Sequence, residues 1–377
     1  MSVHHLPDRG WVAPSDPPGE RAFVSIGDLR LERGGSLPDV VLAYETWGRL
    51  NEAGDNAILV EHALTGDSHV VGEAGPGHPT VGWWQGLIGP GAPLDTDRWF
   101  VVASNVLGGC RGTTGPSTPA PDGRPWGSRF PFLTIRDMVA AEAALADELG
   151  IRTWACVLGG SMGGMRALEW AVSHPDRVRT CVVLASTAAA TADQIAWSHP
   201  QLLAIRSDPA FDGGDYYQSP GPVDGLGIAR RIAHLTYRSE GELAQRFGRD
   251  AQGDEDPLGG RGRYAVESYL DHAAGKLVGR FDANSYLVLT EAMNSHDVGR
   301  DRGGIPAALG RVRARVVVAD VDSDRCYPPH LSDQIADSVA EAERHTITSE
   351  HGHDGFLIET DQVAPIIRRA LDVAAGS

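Results

Sequence analysis

Between about residues 40 and 186, apolar runs of two lengths alternate along the chain. Short ones, NAILVEHA (56–63) and RWFVVASN (98–105), lead into polar or glycine-rich turns, as buried strands do. A longer one, TIRDMVAAEAALADELG (134–150), sets Ile135, Met138, Val139, Leu145, Ala146 and Leu149 on one stripe at helical spacing. Thr134 is its natural N-cap and Gly150 its stop. Glu142 falls inside that stripe and weakens the pattern without breaking its period. TWACVLGG (153–160) then predicts a strand, MGGMRALEWAVSHP a helix closed by Pro175, and RTCVVLAS (179–186) another strand. Such a series builds a parallel sheet covered by helices on both faces.

From 187 to 300 the pattern changes. TADQIAWSHPQLLAIRSDP, GLGIARRIAHLTY, ELAQRFG and YAVESYLDHAAGKLV read as helices between glycine- and acid-rich loops, with no strong strand among them. Alternation resumes with ARVVVAD (314–320), a helix near 330–342, RHTITS (344–349) and a terminal helix near 359–374. The expectation is an α/β core over 21–186 and 301–377, a helical lid inserted at 187–300, and a loose N-terminal arm over 1–20, rich in proline, glycine and charge.

Charge narrows the function. Fifty acidic residues against 33 basic ones give a net charge of −17, which repels phosphate backbones and anionic lipid, so nucleic-acid and membrane partners are not expected. An anionic co-substrate needs a local pocket of arginines or helix N-termini. No stretch approaches the roughly 18 apolar residues of a membrane span, and the N-terminal segment lacks a basic-then-apolar signal pattern. Cys110, Cys156, Cys181 and Cys326 are not at metal-ligand spacing, so no metal is expected. Buried thiols of this kind point to a reducing, cytoplasmic setting.

The chemistry concentrates in LGGSMGGMRALEW (158–170). Gly159-Gly160-Ser161-Met162-Gly163 is a G-x-S-x-G between a predicted strand and a predicted helix, the context of a nucleophile elbow. At such a turn the serine backbone is strained and its hydroxyl stands above the sheet. Residues two before and two after it must be small, or strand and helix collide. The helix behind Ser161 aims N–H groups at any anion formed there. Gly164 is read as a packing glycine.

A serine hydroxyl needs a base, and the base needs an acid. In this fold they follow in the order serine, acid, histidine. VVVADVDSDRCYPP offers Asp320, Asp322 and Asp324; SEHGHDGF offers His351 and His353. Spacing alone leaves both choices open. An oxyanion hole needs a second N–H from a loop after an early strand. EHALTGDSH (61–69) supplies Leu64 or Thr65 beside Met162, a donor worth roughly 2.7–4 kcal/mol in the transition state.

Together with HALTGDSH, GGSMGGMRALEWA, ARRIAHLTYRSE, NSHDVGR, DSDRCYPP, HGHDGFLIE and the glycine-rich stretch at 105–117, these segments resemble the homoserine O-acetyltransferase family of the α/β-hydrolase superfamily, from about residue 40 almost to the C-terminus. The resemblance implies Asp324 as acid, His353 as base, and Arg230 and Asp354 as the residues that hold homoserine. Arg231 adjoins Arg230 and competes for the same reading. A guanidinium suits the α-carboxylate and a carboxylate the α-ammonium. The implied activity is ping-pong acetyl transfer from acetyl-CoA to L-homoserine, with no permanently bound cofactor and a homodimeric assembly. Cys326 stands where relatives carry a bulky apolar residue, a change expected to alter packing alone. The rivals are succinyl transfer, which a spare cation such as Arg111 in the acyl pocket would favour, and a carboxylesterase with water as acceptor. On the resemblance alone, NVLGGCRGTTGPS (105–117) is expected to form part of the wall of a tunnel between lid and sheet.

Overall fold

The structure is a computed structural model that describes residues 16–376. An eight-stranded sheet runs through it. In chain order its strands are β1 (Ala22–Arg30), β2 (Ser36–Trp47), β3 (Ala57–Glu61), β6 (Phe100–Ser104), β7 (Trp154–Gly160), β8 (Val178–Leu184), β9 (Arg315–Val321) and β10 (Ala342–Ile347), with the two-residue strands β4 (Ile88–Gly89) and β5 (Leu94–Asp95) paired outside it. The spatial order is β1-β2-β6-β3-β7-β8-β9-β10. β2 is antiparallel to both neighbours, and every pairing from β6 to β10 is parallel.

The buried strands carry almost uninterrupted apolar sequence because both faces are covered. On β3, Ala57 and Leu59 pack beside α1 (Ile135–Glu148) and α2 (Met162–Ser173), while Ile58 and Val60 face α11 (Thr360–Gly376) and Trp84. On β9 the same two-residue alternation sends Val316 and Val318 to the first side and Val317 and Ala319 to the second. α1 begins with a capping box between Thr134 and Asp137, and Gly150 follows it at φ 73°. Glu142, the blemish in its stripe, is buried and accepts from Arg166 Nη1 at 2.7 Å and Trp170 Nε1 at 3.0 Å.

Between β8 and β9 lie α3 (Ala192–Ser207), α4 (Val223–Tyr237), α5 (Glu240–Phe247), α6 (Ala265–Val278), α7 (Ala283–Asn294) and α8 (Ile305–Leu309); α9 (His330–Ser338) and α10 (Gly355–Ile358) follow β9 and β10. An isolated bridge from Ala189 to Asp297 ties the two ends of the helical segment together. Several elements of the structure, α7 among them, depart from the sequence reading. The β1–β2 hairpin has no counterpart in it, and the helix near 330–342 ends at Ser338, giving way to β10 at Ala342. Residues 1–15 of the expected arm lie outside the described residues; within the rest, the Glu20 N–H donates to His78 Nε2 at 3.0 Å.

Candidate functional site

Ser161 sits between β7 and α2 at φ 58°, ψ −123°, a left-handed conformation rare for a residue with a side chain. Two bonds hold it there: its N–H donates to Leu184 O at 2.9 Å, and its carbonyl accepts from Ser186 Oγ at 2.7 Å. The glycines around it are explained by sterics. A Cβ at Gly159 would lie 2.6 Å from the Gly163 backbone, and one at Gly163 would lie 2.1 Å from Glu61 O. At Gly164 it would meet Ser186 Cβ at 2.6 Å, the close helix–sheet approach expected there.

The loops after β9 and β10 bring together one acid and one imidazole from the candidates. His353 Nδ1 donates to Asp324 Oδ2 at 2.6 Å, and Asp324 Oδ1 accepts from the N–H groups of Cys326 and Tyr327 at 2.8 and 2.9 Å. Asp320 instead pairs with Arg344, Asp322 accepts from Ser349 N at 3.0 Å, and His351 faces Glu242. Burial opposes charge on His353, but the Asp324 carboxylate and its hydrogen bond outweigh it and raise the imidazole pKa above its ordinary value. His353 Nε2 is buried and has no hydrogen-bond partner among the described residues. Tyr327 lines a cavity together with Ser161, and its ring stacks on His353 at a centroid distance of 4.9 Å. Ser161 and His353 line one cavity.

That cavity, about 170 Å³, is also walled by Leu64, Arg230, Tyr237, Arg280 and Asp354. Arg230, on α4, has a buried Nε without a hydrogen-bond partner among the described residues and lies 5.4 Å from the Tyr237 ring centroid. Arg231 turns away to Asp271 on α6, at 2.7 Å. Asp354 is paired with Arg238 at 3.1 Å; burial raises its pKa, against the pull of Arg238, His353 and Arg230. A second cavity of about 60 Å³ reaches Ser161 from the α3 and α7 side, lined by Gln194, Gln201, Asn294, Cys326 and Tyr327 among others, with no charged side chain among the described residues. Burial pushes the Cys326 thiol pKa up, so it is no second nucleophile. Arg111 lines neither of these cavities: its Nη2 donates to Arg280 O. Sequence reasoning passes over Tyr237, Arg280 and Tyr327. Tyr237 and Tyr327 stand inside quoted motifs, whereas Arg280 carries no signal.

Leu64 follows β3, and hydrogen bonds determine where its N–H points. Val106 N–H donates to His62 Nε2 at 3.1 Å, so the ring proton is on Nδ1, which donates to Ala63 O at 2.8 Å. Gly66 N–H donates to the same oxygen at 2.9 Å. In a trans peptide the N–H opposes the C=O, so the Leu64 N–H points away from these donors. Met162 is the first residue of α2, where an N–H has no intrahelical acceptor. The 105–117 stretch braces the 62–68 loop. Besides the bond from Val106, Asn105 Oδ1 accepts from Ser68 N at 3.0 Å, and Asn105 Nδ2 donates to Ser68 Oγ.

Among the described residues Glu45, His69 and His78 could gather around a metal, with ligand atoms within 4.8 Å. The two rings are stacked at 3.8 Å and 15°, which puts a shared ion at the usual bond length of about 2.1 Å out of the plane of at least one ring. His69 already bridges Glu45 Oε2 and Glu73 O, and hydrogen bonds account for the group.

Comparison with known proteins agrees with this layout. A family model described as the alpha/beta hydrolase fold matches residues 56–360. A homoserine O-acetyltransferase of Thermobifida fusca is 63% identical, with 97% of each chain covered. Among solved structures, the homoserine O-acetyltransferase from Bacillus anthracis superposes with a TM-score of 0.86 at 26% identity, covering 93% of this chain and 97% of that one. Esterase E22 gives the same TM-score at 27% identity, with 93% and 99% covered. With nearly the whole length matched at such identity, on this sheet and this serine turn, the chain belongs to the homoserine O-acetyltransferase family of α/β-hydrolase-fold enzymes.

Proposed function

We propose that the protein moves an acetyl group from acetyl-CoA to the side-chain hydroxyl of L-homoserine through an acetyl-Ser161 intermediate. His353 Nε2 takes the Ser161 proton as Oγ attacks the thioester carbonyl. The N–H groups of Leu64 and Met162 hold the oxyanion, and Asp324 stabilises the imidazolium. The C–S bond breaks, the proton passes from His353 to the thiolate, and CoA leaves. Homoserine enters; His353 takes its hydroxyl proton as that oxygen attacks the acetyl carbonyl, then returns it to Ser161 Oγ as the ester bond breaks. Kinetics are ping-pong.

The observation that carries this reading is the wall of the larger cavity, where a guanidinium and a carboxylate, Arg230 and Asp354, stand beside the serine and imidazole. That pair suits a zwitterionic acceptor and serves no purpose for water. The uncharged lining of the smaller cavity favours an acetyl over a succinyl group. We take the 187–300 helices as a lid that keeps water from the acyl-enzyme, and, from the resemblance alone, a cytoplasmic homodimer as the working form.

The test is CoA release from acetyl-CoA and from succinyl-CoA, each with homoserine, with serine and with no acceptor. Release should be fast only with acetyl-CoA and homoserine together, and Ser161→Ala should lower it by roughly 10⁴–10⁶-fold. Equal release without an acceptor would make the protein a hydrolase, as esterase E22 is named.

A further inference from the structure

Arg280 lies between α6 and α7, and its guanidinium ends a chain of hydrogen bonds that leads to the reacting centre. Its Nη1 donates to Thr65 O at 2.7 Å. The N–H of that same peptide unit belongs to Gly66 and donates to Ala63 O at 2.9 Å. The N–H of the Ala63 peptide unit belongs to Leu64, which lines both cavities at Ser161. No peptide bond here is cis, so each unit receives a donor at its oxygen and passes one on from its nitrogen, on the opposite side. Chains of this kind polarise one another, and a cation at the head strengthens each donor after it. Behind Arg280 stands Arg111, of the 105–117 stretch, whose Nη2 holds Arg280 O.

We infer that Arg280 is a positioning residue for acyl transfer, which fixes and polarises the Leu64 N–H through the Thr65–Gly66 and Ala63–Leu64 peptides. The inference rests on the acetyl-serine reading above and adds to it a residue from the helical segment. It links that segment to the oxyanion site: if α6 and α7 shift, Thr65 O loses its partner and the loop loses its register. Burial pushes the Arg280 pKa down to about 10, still far enough above neutrality for the guanidinium to stay charged.

The alternative is that Arg280 grips an anionic part of a substrate, since it lines the larger cavity. The two roles separate with p-nitrophenyl acetate, a neutral donor that needs an oxyanion hole and no anion site. In wild type it should give a burst of nitrophenolate equal to the enzyme concentration, absent in Ser161→Ala. Arg280→Met should slow that burst by about 10²-fold, the scale of a lost oxyanion donor, while the homoserine KM stays within about threefold. Arg280→Gln, a donor without charge, should fall between Met and wild type, and Arg280→Lys, which keeps charge and one donor, should recover most of the rate. Arg111→Lys, outside both cavities, should slow the burst in the same sense by a smaller factor. An unchanged burst in Arg280→Lys, Gln and Met with a raised homoserine or acetyl-CoA KM would overturn the inference and make Arg280 a substrate ligand. A wild type that gives no burst would overturn the acetyl-serine reading, and this inference with it.

Discussion

Asp322 and Asp324 stand two positions apart and have different partners. Asp322 accepts from Ser349 N and so ties the β9 loop to the β10 loop; Asp324 accepts two backbone N–H groups on one oxygen and His353 on the other. Motif spacing leaves the two indistinguishable, because side-chain direction in an irregular loop is set by later contacts. Ser161 is legible because a strained turn needs its glycines in a fixed pattern. Arg280 is not, since an isolated arginine between two helices looks the same whether it meets solvent or a buried carbonyl. The difference between the aspartates has a kinetic consequence. The His353 pKa lies above about 6.5, the ordinary value, so kcat/KM should fall on the acid side with an apparent pKa above that value. Asp324→Asn removes the charge and leaves burial, which acts the other way; the acid limb should move down and the rate fall by about 10⁴-fold. Asp322→Asn should leave both the profile and the rate nearly unchanged. A pH–rate series on the three proteins checks the ranking.

Elements with one buried stripe and a clean cap can be read from the chain. α1 runs from Ile135 under its Thr134 cap as expected, and β7 and α2 flank Ser161 within a residue or two of their predicted limits. The β1–β2 hairpin cannot. β2 holds Pro38 and then Asp39 at φ 48°, β1 holds Gly27, and their pairing shifts register twice. Proline and glycine inside a strand argue against one, and the neighbouring strands override that preference. α7 escapes a sequence reading for another reason: Tyr286, Leu287, Leu289, Thr290 and Ala292 are all buried, so no polar face marks its period. At the same scale, two glycines in helices should respond oppositely to alanine. Gly163→Ala drives a Cβ into the backbone oxygen of Glu61, which no side-chain rotation relieves, so stability should drop by about 3 kcal/mol or more. Gly275, in α6, has nothing within 4 Å of its would-be Cβ, and Gly275→Ala should stabilise by about 0.5–1 kcal/mol. Urea unfolding of both variants tests whether space or helix preference governs each site.

Across the whole molecule, the catalytic candidates come from separate connections, and what holds these in register is a buried ionic group beneath the serine turn. Arg166 on α2 reaches Glu61 on β3 at 2.6 Å and Glu142 on α1 at 2.7 Å, and its Nη2 donates to His62 O at 2.7 Å, at the root of the Leu64 loop. Sheet, both helices and the loop after β3 therefore meet at one fully buried guanidinium. Two carboxylates share it, and burial, against the Coulomb pull of Arg166, raises the Glu61 pKa well above its ordinary value, with Glu142 adding to the rise. A buried pair of this kind adds little against an apolar replacement, but removing one partner strands the others, at a cost of about 3–5 kcal/mol. Arg166→Met should thus be among the most destabilising single changes, and the cost should depend on pH. Glu61, with its folded pKa above an unfolded value of about 4.5, contributes stability below that value and loses it as pH climbs through the folded pKa. Without Arg166 that pKa rises further, so the loss in urea melts should be larger at about pH 8 than at about pH 5.5. The double variant Arg166→Met with Glu61→Gln leaves one carboxylate fewer unpaired and should lose less than the sum of its parts. Additive losses with no pH dependence would mean that Arg166 acts through packing alone, and that the serine turn and the loop after β3 are held in register by the apolar core around them.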